Sequence, residues 1–246
     1  MTFDLSRYAG PALRSLIMAS ALTLAACGKG DDGDAQAASA EVQEAEATDG
    51  AQEEASTELI PAPEGSQAAN EMAMGSEDAI LTITEFASVT CPGCAGFHSN
   101  IFPAIKKELI DTGQVRFVYK EFPTPPVRLS QAGFILARCA ATEQGSDAYF
   151  AMIEALYKTQ RMWIGSENPG DELRNIAAQA GLVDDEFENC FVREDIRDAI
   201  IANIEEGKEL GLVGTPSFVV DGEKFEIRGN AQQVVEMIKE EIEKRS

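Results

Sequence analysis

Histidine is almost missing from this chain: His98 is the single one among 246 residues. Basic residues are scarce too, 20 Lys and Arg against 42 Asp and Glu, for a net charge of −22. A chain this acidic repels phosphate backbones, which excludes nucleic acid as a partner. One histidine and one Cys-x-x-Cys do not supply the four ligands of a structural zinc site. No metal and no cofactor is expected. No apolar run reaches the roughly 20 residues a membrane-spanning helix needs. No internal repeat is visible, which excludes solenoid architectures.

The longest apolar run, Leu16 to Ala26, follows Arg7 and Arg14 and reads as a secretory signal. It ends in Leu24-Ala25-Ala26-Cys27, which resembles a bacterial lipoprotein cleavage box. That resemblance implies a lipid on Cys27 and attachment to a membrane; an ordinary signal with an incidental cysteine is the other reading. Five cysteines is an odd number for an exported protein, and a lipidated Cys27 leaves four to pair. Export also places the chain where disulfides persist. Residues 28–65 hold 11 acids, one lysine and few large apolar side chains. Such a stretch cannot bury enough surface to fold and is expected to be a disordered tether. As a flexible coil it reaches about 34 Å. It carries −10 of the net charge and residues 1–27 carry +1, which leaves −13 on residues 66–246.

The chemistry lies in Cys91-Pro92-Gly93-Cys94. The residues before it, Ala79 to Ala87, alternate and are β-branched, so a strand is predicted. After it, Phe97, Ile101, Phe102 and Ile105 recur at helical spacing, so one helix is predicted from Ala95 to Leu109. Pro92 falls at the first helical position, where its missing N–H costs nothing. Cys91 then meets unpaired backbone N–H groups and the positive end of the helix dipole. Lowering a thiol pKa from about 8.5 to between 3.5 and 7 needs about 2 to 7 kcal/mol. A helix terminus supplies about 1 to 2 of that. Direct hydrogen bonds to the sulfur must supply the rest. A fixed disulfide and a zinc half-site are the competing readings, and a redox-active pair outweighs both.

A second element is Gly214-Thr215-Pro216, followed by Phe218-Val219-Val220, an Asp221-Gly222 turn, and Glu223 to Arg228. Strand, Asp-Gly, strand is a strong hairpin signal. The chain closes on an amphipathic helix carrying Val234, Val235 and Ile238. Strand, CxxC, helix and strand, then a Thr-Pro-led hairpin and a terminal helix, resembles the thioredoxin fold, an α/β architecture. The helical stretch between Thr124 and Leu210 resembles the inserted domain of DsbA-like disulfide oxidoreductases. The expected organisation is a signal in 1–27 and a tether in 28–65. Then come a first thioredoxin part in 66–123, a helical insertion in 124–210, and the hairpin with its helix in 211–246.

In the insertion, helices are predicted at Gln131–Glu143, Asp147–Lys158, Asp171–Ala180 and Ile196–Leu210, with Asp184 or Asp185 capping one more. Cys139 and Cys190 lie on apolar helical faces. A second, structural disulfide and two buried free thiols both fit that placement.

The resemblance implies the remaining roles. Cys91 is the attacking sulfur and Cys94 the buried resolving one. Pro92 and Gly93 tune the pair; the histidine that best-known DsbA proteins carry before the second cysteine is glycine here, which implies a milder oxidant. Pro216 is expected to be cis against the pair, with Thr215 beside the sulfurs. Glu85 matches a buried acid that handles the Cys94 proton, or else is an exposed strand acid. Lys120 is a candidate ion-pair partner for Glu85. His98 shares the cysteines' helix face and is a candidate for tuning the thiolate. The function implied is a monomeric thiol:disulfide oxidoreductase of a bacterial cell envelope or periplasm. It oxidises exported polypeptides and is regenerated by a membrane redox partner. A reductase or isomerase is the alternative, and a copper-handling module using Met72 and Met74 is a more distant one.

Overall fold

The computed structural model describes residues 58–245. The signal, Cys27 and most of the tether therefore lie outside the described residues. The strands are β1 (Met72–Met74), β2 (Leu81–Ala87), β3 (Val115–Glu121), β4 (Ser217–Val220) and β5 (Glu223–Phe225). They form one sheet in the order β1-β3-β2-β4-β5. Only the β2–β3 pair is parallel; the others are antiparallel. α1 (Pro92–Asn100) follows β2, and α9 (Ala231–Glu243) ends the fold.

Strand periodicity decides the faces. Leu81, Ile83, Glu85 and Ala87 point one way, and the apolar three join the main core. Phe86 points the other way, into a smaller cluster with Leu212 and Val219. Glu85 thus falls on the main-core face and is fully buried. The exposed-acid reading of Glu85 is overturned.

Between β3 and β4 lie α3 (Val127–Gln144), α4 (Ser146–Lys158), α5 (Gln160–Ile164), α6 (Pro169–Gln179), α7 (Asp184–Cys190) and α8 (Glu194–Glu209). α8 passes close to the sheet at Gly207, where an added Cβ would come 2.7 Å from the Phe122 ring. Cys139 on α3 and Cys190 on α7 are joined, with Cα atoms 5.6 Å apart and 51 residues of separation. A loop of that length stabilises by about 4 kcal/mol on the chain-entropy account.

Four expectations are corrected. The helix after the CxxC is not continuous. α1 stops at Asn100, α2 (Phe102–Ile105) starts a new turn, and a π-helical turn follows at Lys106–Ile110. Pro103 has no N–H to give the carbonyl of Ser99, and its ring crowds that turn. Asp184 and Asp185 are not caps: Val183 holds that position without a side-chain bond, and both acids sit in the first turn. There they favour the positive end of the dipole. The second hairpin strand stops at Phe225 rather than Arg228. Asp221 and Gly222 have φ of 51° and 80°, as a turn matching the strand twist requires. Finally, the packed chain begins before residue 66. Ile60 bridges Arg193, with its N–H on the Val192 carbonyl at 2.8 Å.

A buried polar cluster has no counterpart in the sequence reading. Arg138 holds Glu121 through Nε at 2.6 Å and Nη2 at 3.0 Å. Tyr149 donates to the same carboxylate at 2.8 Å, and Asn203 also donates to it. Arg138 reaches on to the carbonyl of Ala68 at 2.7 Å. One cluster thereby ties β3, α3, α4, α8 and the segment before β1 together.

Candidate active site

The loop after β2 is set by short polar side chains. Ser88 Oγ lies 3.0 Å from Thr90 Oγ1, and Thr90 donates to the Thr124 carbonyl at 2.9 Å. The Cys91 N–H donates to the Ser88 carbonyl at 3.0 Å. Cys91 is the extended N-cap residue of α1, and Pro92 begins the helix. This is the position the spacing predicts. Cys91 and Cys94 are both free thiols, the first half-buried and the second buried.

Opposite them, the Thr215–Pro216 peptide bond is cis. The Cys91 thiol donates to the Thr215 carbonyl at 3.2 Å. A Cβ built on Gly93 would lie 3.3 Å from Pro216 Cδ and 3.6 Å from Cys91 Sγ. Glycine lets the CxxC turn pack directly on the proline. The Thr215 hydroxyl is buried and holds no conventional hydrogen bond, which leaves it free to favour a thiolate beside it.

The two sulfurs are driven apart in acidity. The Cys91 thiol is lowered from 9.0 to about 5, first by a hydrogen bond from Cys94 and then, against the cost of burial, by Thr215 and the backbone of Cys94 and Gly93. Cys94 is pushed far up by burial, by its bond to Cys91 and by the Glu85 charge. Direct hydrogen bonds to the Cys91 sulfur, that from Cys94 first, thus lower its pKa, as the helix terminus alone could not. Thiolate absorbance at 240 nm is expected to titrate with a midpoint near 5. Because the folded pKa lies below the unfolded one, Cys91 stabilises the reduced protein fully above pH 9. That contribution is lost as pH falls toward 5. The Tm gap between the reduced protein and Cys91→Ala, followed across pH 5 to 9, checks the sign.

Glu85 sits beneath the pair, and its Oε2 is 2.7 Å from His98 Nε2. Its Oε1 is buried without a partner. Lys120 is not its partner. In the parallel register Lys120 lies opposite Phe86, and Glu85 opposite Tyr119, so the lysine projects to the other face. There it pairs with Glu206. His98 does share the face of Cys94, but its hydrogen bond goes to Glu85 rather than to the Cys91 thiolate. Met72 is buried within β1.

One site residue is missed by the sequence reading. Gln160, buried on α5, donates Nε2 to the carbonyls of Val89 at 2.9 Å and Cys91 at 3.0 Å. It fastens the helical insertion to the CxxC turn across about 70 residues of chain. No local signal marks it, because a lone Gln before Arg161 and Met162 has no periodic meaning.

A mixed sheet with a dithiol at the head of the helix after β2, facing a cis-proline, is a thioredoxin fold with a thiol pair. The Thioredoxin family profile matches residues 67–240, and the chain belongs to that family. Within it, the likeness is to DsbA-like proteins. A relative from Rickettsia bellii, provisionally named a protein-disulfide oxidoreductase, is 32% identical over 158 residues. That match covers 64% of this chain and 59% of the relative, so the chain spans little more than half of that protein. Disulfide bond formation protein D of Bacillus subtilis is 23% identical, over 69% of this chain and 76% of its own. The crystal structure of Wolbachia pipientis alpha-DsbA1 superposes with a TM-score of 0.63 at 26% identity, covering 72% of this chain and 92% of its own.

Proposed function

We propose that this chain is a thiol:disulfide oxidoreductase that passes a Cys91–Cys94 disulfide to cysteine thiols of exported polypeptides. The observation carrying this reading is the geometry of the pair: a half-buried Cys91 at the head of α1, bonded to the carbonyl before cis-Pro216, above a fully buried Cys94, an arrangement that lowers the first thiol to about 5 and pushes the second far up. At neutral pH the reduced pair holds Cys91 as a thiolate. Stabilising the reduced form makes the disulfide oxidising, and a low-pKa thiol is the better leaving group.

In the proposed sequence a substrate thiolate attacks Cys91 Sγ, the Cys91–Cys94 bond breaks, and Cys94 leaves and takes a proton from Glu85. A second substrate thiolate then attacks its own mixed-disulfide sulfur and releases Cys91 as a thiolate. Pro92 and Gly93 keep the turn tight against Pro216, and Thr215 stands beside both sulfurs. The Cys139–Cys190 bond is structural. Regeneration falls to a membrane redox partner, in an envelope compartment that the signal-like N-terminus supports. No helix among the described residues is long and apolar enough to cross a membrane.

A glutathione titration of the protein, read by thiol alkylation and mass spectrometry, tests the direction of exchange. The Cys91–Cys94 potential is expected between about −120 and −180 mV. A value near about −250 mV or lower sinks the oxidase and supports a reductase.

A further inference from the structure

Cys94 poses a proton problem that the thiol pair alone does not solve. It is fully buried, so every time it leaves a disulfide it needs a proton from inside the protein. Glu85 is equally buried, and a buried acid that has given up its proton must be reset before the next turnover. Its Oε1 has no partner, while Oε2 is bonded to His98 at 2.7 Å. The His98 side chain is 10% exposed. It lines a cavity of about 520 Å³ between the CxxC helix and α4, whose rim carries Lys106, Asp147, Glu154 and Lys158.

We propose that His98 carries protons between Glu85 and the water of this cavity, so that Cys94, Glu85 and His98 form one path from the buried sulfur to solvent. The inference rests on Glu85 being the proton partner of Cys94. When the Cys91–Cys94 bond breaks, the proton shared by the Glu85–His98 pair passes through Glu85 to the Cys94 thiolate, which becomes a thiol, and the pair takes one proton back from the cavity at His98. Nothing is oxidised or reduced in the relay. When Cys94 attacks, the same steps run backwards.

The surroundings favour this path. Tyr157 stacks on the His98 ring at 4.7 Å, and Tyr119 lies at 6.1 Å. Burial first of all pushes both phenols well above their ordinary range, and their hydroxyls bond each other at 2.9 Å. Neither gives up its proton at neutral pH. Phe97, Phe102 and Phe117 fill the rest of the ring's surroundings without titrating. Among the described residues the ring has one hydrogen bond, to Glu85, which leaves Nδ1 for cavity water.

The test follows the first exchange step. Oxidised protein is mixed with a cysteine peptide, quenched in acid at set times and alkylated, and mixed-disulfide formation is timed against pH. His98→Ala is expected to be about 100-fold slower at pH 7. Imidazole added to His98→Ala is expected to restore the rate, and thiazole, of the same shape but unprotonated, is not. His98→Gln, which keeps a hydrogen-bonding group beside Glu85, is expected to hold the wild-type Tm, show the same slowing and lose one ionisation from the pH profile. Wild-type rates in both His98 variants with a slow Glu85→Gln would overturn the relay and leave the Glu85 reading standing. A wild-type rate in Glu85→Gln would remove both. Equal rescue by thiazole would make His98 a space-filler and overturn the relay.

Discussion

Cys91→Ser is expected to lower disulfide exchange by about 10³-fold or more and to abolish mixed disulfides with substrate. The reason is burial. Cys94 is 0% exposed, so it cannot take over attack on an external sulfur. Its thiol is also pushed far up, so almost none of it is thiolate at neutral pH. Cys94→Ser is expected to do the opposite. It leaves Cys91 at the surface with no resolving thiol and should trap covalent adducts with substrate polypeptides. Non-reducing gels of the two variants after incubation with an unfolded protein that carries scrambled disulfides separate the roles, because the Cys91 thiolate attacks a substrate disulfide, forms the mixed disulfide and releases a substrate thiolate. Adducts through Cys94 in the Cys91→Ser variant would show that the site opens, and would sink the assignment. Losing the Cys94 hydrogen bond should also raise the Cys91 pKa in Cys94→Ala above about 5, because that bond is the largest cause of its depression. Alkylation rates of that variant across pH give the new midpoint.

Arg138→Met is expected to cost about 3 to 5 kcal/mol of stability, because it leaves the Glu121 charge buried without its counterion. Glu121 and Arg138 are 0% and 2% exposed, so water cannot take the place of the missing partner. At about 2 to 4 °C per kcal/mol, Tm should fall by about 6 to 20 °C. Replacing both groups, Glu121→Leu with Arg138→Met, should recover much of the loss, since the desolvation cost of two charges goes with them. Thermal and urea unfolding of the two singles and the double give the coupling. A Tm within about 2 °C of wild type in Arg138→Met, less than 1 kcal/mol at that scale, would show that the cluster is not a structural tie.

The thiol pair and its immediate frame were legible from local spacing. A strand, Pro at the first helical position and two cysteines one turn apart place Cys91 at a helix head whatever the rest of the fold does. Asp221-Gly222 declared its turn because two consecutive positive φ angles admit few other residues. The continuous helix expected to Leu109 is where local reading failed: the apolar period runs on through Pro103, a residue that cannot continue a helix, and periodicity alone hides the break.

What tertiary structure alone decided is which side chains meet across long separations. The strand pattern allowed Glu85 to be either buried or exposed, and only the packing of α1 above β2 chose. Lys120 looked like its partner because it sits on the neighbouring strand, but the register places it with Phe86 on the opposite face. His98 read as a neighbour of the thiolate from helix spacing, yet its bond runs down to the sheet. Gln160, Arg138 and the Cys139–Cys190 pair have no local signature. Periodicity specifies what a residue faces within its own element; which distant element fills that face is settled only when the chain has packed.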